Sequence, residues 1–76
     1  MMNKQVFYQE IKKRLGGFSK KEIEDVIDYY DELINEKMDN GYSEEEAIHS
    51  FGSVEDIIIN IKTDVVIKRI NDKKSN

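Results

Sequence analysis

Apolar residues recur at helical spacing in separate stretches of the chain. Phe7, Ile11 and Leu15 stand four residues apart and predict a first helix over about residues 4–15. The clearest pattern fills residues 20–40, where three- and four-residue spacing persists throughout and acidic residues occupy the opposite face. Its apolar positions are Ile23, Val26, Ile27, Tyr30, Leu33, Ile34 and Met38. This stretch predicts a long second helix.

Two further helices are predicted in the second half of the chain. A short one over about 44–51 would bury Ala47, Ile48 and Phe51. The last, over about 54–70, contains "DIIIN" and "DVVIK", whose β-branched residues make a strand the alternative for residues 57–70. We favour a helix because the main apolar positions keep helical spacing. These positions are Val54, Ile57, Ile58, Ile61 and Val65, with Ile70 as a further candidate.

Glycine and serine mark the boundaries between these helices, and proline is absent. Gly16-Gly17, Gly41 and Gly52 each precede a serine that can accept hydrogen bonds from free amides at a helix start. Each of these serines is followed three residues later by an acid: Ser19 by Glu22, Ser43 by Glu46 and Ser53 by Asp56. The first two pairs match the capping-box pattern of serine and glutamate.

Together these signals predict a small all-α domain of four helices over residues 1–70, followed by a flexible tail over 71–76. Tyr42 precedes the cap at Ser43, where its ring is expected to pack on Ala47 as a hydrophobic staple.

Charge is distributed unevenly along the chain, whose net charge is −4. Residues 1–21 are basic, 22–64 strongly acidic and 65–76 basic again. We expect the basic first helix to pack beside the acidic second. Asp28, Glu32 and Glu36 of the second helix stand four residues apart, and cationic neighbours would offset the repulsion between these like charges. A protein partner could supply them; so could Lys12, Lys13 and Arg14. The acidic centre disfavours nucleic acid, which leaves binding through Lys12, Lys13, Arg14, Lys20 and Lys21 as a minor hypothesis.

Residues with catalytic or metal-binding chemistry are sparse. The chain has no cysteine and one histidine, His49, so disulfides are excluded and neither a zinc site nor a catalytic triad is expected. Glu44, Glu45 and Glu46 stand in the first turn of a helix, where the helix dipole stabilises their negative charges. Consecutive helical positions point in different directions, so the three carboxylates are not expected to converge on one ion. We expect no enzyme activity, cofactor, metal or small-molecule substrate. With no apolar run long enough for a membrane span and no signal-peptide core, the chain as given is expected to be soluble, and its lack of cysteine fits a reducing cytoplasm.

The segment "EIEDVIDYYDELINEKMDNGYSEEEAIHSFGSVEDIIINI" resembles the HAAS signalling-domain family of bacteria. The resemblance spans about residues 3–65, and two positions depart from the family pattern: Val54 replaces a usual proline and Phe51 a usual leucine. The matching positions are Tyr30, Asp31, Glu32, Gly41, Ser43, Glu44, Glu45, Glu46, Ala47, Ile48, Phe51, Gly52 and Ser53.

The resemblance implies a cytoplasmic, all-helical signalling module without catalytic residues. Such domains often continue into membrane-spanning segments and are encoded beside PadR-like transcription regulators. We therefore expect a protein-interaction module with a PadR-like partner, contacted through the short third helix and its flanking turns. Any membrane association would then depend on a segment outside this chain. The candidate contact residues are Tyr29, Tyr42, Glu44, Glu45, His49 and Ile59.

The alternative is a structural or assembly role. Ile59, Val66 and Ile67 lie off the main apolar stripe of the last helix, and exposed apolar residues often mark contact surfaces. In this interpretation the chain forms a homodimer through those residues.

Overall fold

Four helices make up the computed structural model, which describes residues 2–74 and contains no strand within that range. They are α1 (Lys4–Arg14), α2 (Lys20–Asp39), α3 (Glu44–His49) and α4 (Val54–Lys74). The all-α prediction is confirmed, including a helix over residues 57–70. α4 extends beyond the expected end near residue 70, so residues 71–74, predicted as tail, are helical. The rest of that tail, residues 75–76, lies outside the described residues.

Side-chain caps start the helices where the sequence predicts them. At α2 the Ser19 hydroxyl oxygen accepts from the Glu22 amide at 3.1 Å, while the Glu22 carboxylate accepts from the Ser19 amide at 2.9 Å. The same reciprocal pair joins Ser43 and Glu46 at the start of α3. Each pair satisfies two amides that have no partner within the helix, which stabilises the helix start.

Gly41 and Gly52 end α2 and α3 by adopting a backbone that other residues rarely accept. Their φ angles are 100° and 101°. At such positive φ an L-residue places its Cβ against the backbone, whereas glycine has no Cβ. These two glycines therefore allow the chain to turn sharply after α2 and again before α4.

The core is formed by one face of every helix, with α2 in contact with both α1 and α3. Tyr30 of α2 packs edge-to-face against Phe7 of α1 and against Phe51 in the turn after α3, with ring centroids 5.8 Å and 5.4 Å apart. This half-buried tyrosine therefore joins three parts of the fold. The buried residues are Phe7, Ile11, Leu15, Ile34, Ala47, Ile48, Ile57, Ile58, Ile61 and Val65.

Ion pairs between helices differ from those expected. Lys4 of α1 binds Asp31 of α2 at 3.1 Å, so a basic residue of α1 does meet the acidic helix. Arg14, one of the three cations proposed as neighbours of the acidic stripe of α2, instead binds Glu10 in its own helix and lies 3.8 Å from Glu55 of α4. The end of α1 therefore faces the start of α4, a geometry that charge patterning along the chain does not encode.

Candidate interaction surface

An open groove of about 600 Å³ runs between α2 and α4, and we call it the α2–α4 groove. Glu22 near the start of α2 binds Arg69 near the end of α4, whereas Tyr30 farther along α2 lies near Asp64, which is earlier in α4. The two helices therefore run in opposite directions along the groove. Apolar side chains from both helices line the groove, and charged residues of both signs surround them. The lining residues are Ser19, Lys21, Glu22, Asp25, Val26, Tyr29, Tyr30, Ile61, Asp64, Val65, Lys68, Arg69 and Asp72.

A bidentate ion pair between Arg69 and Glu22 closes one end of the α2–α4 groove. Arg69 Nε donates to Glu22 Oε2 at 2.7 Å, and its Nη2 donates to Oε1 at 2.6 Å. The guanidinium carbon also lies 5.0 Å from the centre of the Phe18 ring. The hydrogen bond from Arg69, followed by the one from the Ser19 amide, lowers the pKa of Glu22 to about 2. Glu22 therefore stays ionised while it caps α2 and holds α4.

Two adjacent tyrosines form an aromatic wall of the groove. Tyr29 is 57% exposed, and its ring meets that of Tyr30 edge-to-face with centroids 5.4 Å apart. Burial, followed by the nearby Tyr29 and Asp64, raises the pKa of Tyr30 above its ordinary value, so its hydroxyl stays protonated to a higher pH than that of a free tyrosine. The wall thus combines an anchored ring with an accessible one, and accessible aromatic residues are enriched at protein interfaces.

A second exposed region is the corner between α2 and α3. Tyr42 is 45% exposed, and the Lys37 ammonium lies 5.0 Å from the centre of its ring. The same ammonium lies 5.6 Å from the centre of the Phe51 ring, so one cation bridges two aromatic residues across the corner. Ala47 is fully buried beneath this corner, but the predicted packing of Tyr42 on it stays a prediction.

The six candidate contact residues do not form one surface. Tyr29 lies in the α2–α4 groove, whereas none of the other five lines it. Half-buried Glu44 and Glu45 stand in the first turn of α3, near Tyr42. The remaining two are exposed on other elements: His49 ends α3 beside a small depression at the turn into α4, and Ile59 lies on α4 outside both concavities.

Several groove residues were not identified from the sequence as contact candidates. The sequence marks Glu22 as a helix cap and Arg69 as part of a basic segment, and neither pattern indicates a contact surface. Their contact joins positions 47 residues apart, and no local pattern signals it. Lys68, by contrast, continues the helical spacing of Ile57 and Ile61 on the core face of α4. A charged residue at a position where the spacing predicts an apolar one was the available signal that the site is open to solvent.

Within residues 2–74 no group of three or more histidine, cysteine, aspartate or glutamate side chains is arranged to hold a metal ion. None of the helices in that range combines the length and apolar character needed to cross a membrane.

Comparison with known families identifies the domain. The HAAS family model matches residues 7–58, more than half of the chain. The chain belongs to the HAAS family. The matched HAAS region includes the whole of α2 and α3 but only the start of α4. No curated protein and no solved structure gives a significant match. Membership is consistent with a signalling or interaction module, and the α4 side of the groove lies beyond the matched span.

Proposed function

We propose that this HAAS chain is a non-enzymatic, cytoplasmic protein-interaction module in bacterial regulation, with a PadR-like transcription regulator as its partner. Family membership supports the signalling class. The choice of regulator comes from the family resemblance, because such domains are often encoded beside PadR-like proteins.

The α2–α4 groove is the observation that carries this proposal. Its floor includes Val26 and Val65, and its margins carry the cations Lys21 and Lys68 as well as several acids. An amphipathic helix of a partner fits such a surface, because its apolar residues at every third or fourth position can enter the floor. The flanking polar residues of that helix then meet charges of either sign along the margins.

Tyr29 is the expected anchor within the groove. It is the exposed member of the tyrosine pair, so a partner can bury it without displacing the core. A tyrosine has only two side-chain torsions to restrict and contributes a large contact area, which favours it as an energetic centre of an interface.

Calorimetric titration of the chain with a purified PadR-like regulator from the same bacterium tests both the partner and the site. Tyr29→Ala is expected to weaken binding at least about tenfold. Tyr42→Ala is the matched control, since Tyr42 is also about half exposed but lies at the α2–α3 corner. We expect that control to change the affinity less than about twofold.

Two outcomes would contradict parts of the proposal. If Tyr42→Ala weakens binding and Tyr29→Ala does not, the partner uses the α2–α3 corner predicted from the sequence rather than the groove. If no binding occurs either with this chain or with the full product of the gene, the PadR-like partner is wrong. Circular dichroism of both variants checks that the substitutions leave the helices intact.

A further inference from the structure

α4 is apolar on two opposite faces, and only one of them is covered. Ile57, Ile61 and Val65 face the core and are buried. A second set is about half exposed or more, and at about 100° of rotation per residue it lies roughly opposite the core-facing set. A helix that is apolar on all sides is normally buried on all sides. The exposed set is Ile59, Val66, Ile67 and Ile70.

The exposed residues form a continuous seam rather than scattered contacts. Ile59, Thr63, Val66 and Ile70 follow one another at intervals of four, three and four residues, the spacing of a helix that packs along another helix. Thr63 does not interrupt the seam, because its hydroxyl donates to the Ile59 carbonyl at 2.9 Å within the same helix. We call these four residues, together with Ile67, the outer stripe.

Charge along α4 indicates what covers the outer stripe. The first turn carries Glu55 and Asp56, whereas residues 62–74 contain five bases and two acids. A second α4 lying antiparallel places the acidic start of each helix beside the basic end of the other. α2 is unsuited to such pairing, because it carries eight acids against three bases and two copies would repel.

We propose that two copies of this chain associate through the outer stripe, with their α4 helices antiparallel. A pairing centred between Thr63 and Val66 brings Ile59 of one copy opposite Ile70 of the other, so the apolar positions match along the seam. No residue of the outer stripe lines the α2–α4 groove, so the dimer leaves that groove accessible. The proposal is therefore independent of the PadR-like partner.

Sedimentation equilibrium from about 10 μM to about 1 mM measures the association. We expect a reversible monomer–dimer equilibrium, and Val66→Lys is expected to raise the dimer dissociation constant at least about tenfold. Val6→Lys is the matched control, since Val6 is an exposed valine of α1 at 39% against 46% for Val66. A wild-type chain that stays monomeric throughout the range would overturn the dimer. Equal weakening by the two variants would overturn the assignment to α4.

Cysteine cross-linking tests the orientation, and the chain has no native cysteine to interfere. A mixture of Ile59→Cys and Ile70→Cys is expected to form the mixed disulfide on mild oxidation, since a disulfide requires Cα atoms within about 7 Å. Either variant alone is expected to cross-link far less. Efficient self-cross-linking of Ile59→Cys would show a parallel pair and overturn the proposed geometry. If the wild-type chain stays monomeric and Val66→Lys abolishes its regulator binding, the outer stripe is a regulator site and the homodimer is wrong.

Discussion

Replacing Ile57 and Ile59 with alanine, one at a time, tests the register of α4 with two chemically identical changes. The two isoleucines are two positions apart, yet Ile57 is 1% exposed and Ile59 is 61% exposed. In a helix, residues at this separation point about 200° apart, whereas in a strand they share a face. The pair therefore distinguishes the observed helix from the strand that the β-branched "DIIIN" segment also suggests.

The two variants are expected to differ by several kcal/mol. Ile57→Ala removes buried methyl groups and leaves a cavity, which costs about 2–5 kcal/mol. A small domain at about 0.05–0.15 kcal/mol per residue has only about 4–11 kcal/mol of unfolding free energy in total. Ile59→Ala removes little buried surface and gains helix propensity, so we expect a change within about 0.5 kcal/mol.

Urea unfolding followed by far-ultraviolet circular dichroism measures both free energies. The protein is kept at about 5 μM, so that association through the outer stripe contributes little. At about 4–8 °C per kcal/mol for a domain of this size, Ile57→Ala should lower the melting temperature by about 10 °C or more. Equal losses for the two variants, or a larger loss for Ile59→Ala, would refute the helical register of α4. The dependence on urea should stay constant, since a changed slope would indicate a different unfolding reaction.

Two further predictions concern the helix termini. Arg69→Gln should raise the pKa of Glu22 from about 2. The pKa of Glu46 should stay unchanged, because Glu46 occupies an equivalent capping box in which only Ser43 lowers its pKa. Carboxyl titration by NMR measures both pKa values. Since the folded-state pKa of Glu22 lies below the ordinary 4.5, its stabilising contribution is present above that pH and disappears as the pH falls towards 2, so the variant should lose less stability than wild type over this interval. Gly52→Ala should cost about 1–2 kcal/mol because φ is positive there, whereas Gly17→Ala, with open space around its Cβ position and no positive φ, should stay within about 0.5 kcal/mol in the same urea assay.

Features that depend on residues close in the chain were predictable from the sequence. Both capping boxes form where their serines and glutamates predicted them. Helical spacing likewise separates the core position Ile57 from Ile59, and the two are buried and exposed accordingly. These features are governed by hydrogen bonds and side-chain directions within one or two helical turns, so local sequence contains the necessary information.

Contact surfaces were predicted less completely. The tyrosine expected to be exposed, Tyr29, is so, but its position on a groove wall depends on where α4 lies. Tyr8 of α1 likewise donates a hydrogen bond to Asp31 of α2 at 2.6 Å, and no local pattern predicts this contact between residues 23 positions apart in the chain. Such contacts depend on the relative placement of whole helices, which side-chain periodicity does not specify.

The sequence by itself determined the helical segments, their caps and the family, because each rests on short-range spacing or on a pattern of residues along the chain. The tertiary structure alone decided that Glu22 holds Arg69, that Arg14 faces Glu55, and that α2 and α4 enclose a groove. Many arrangements of four amphipathic helices bury the same apolar residues. Only the packed arrangement determines which polar residues meet and which surface remains open.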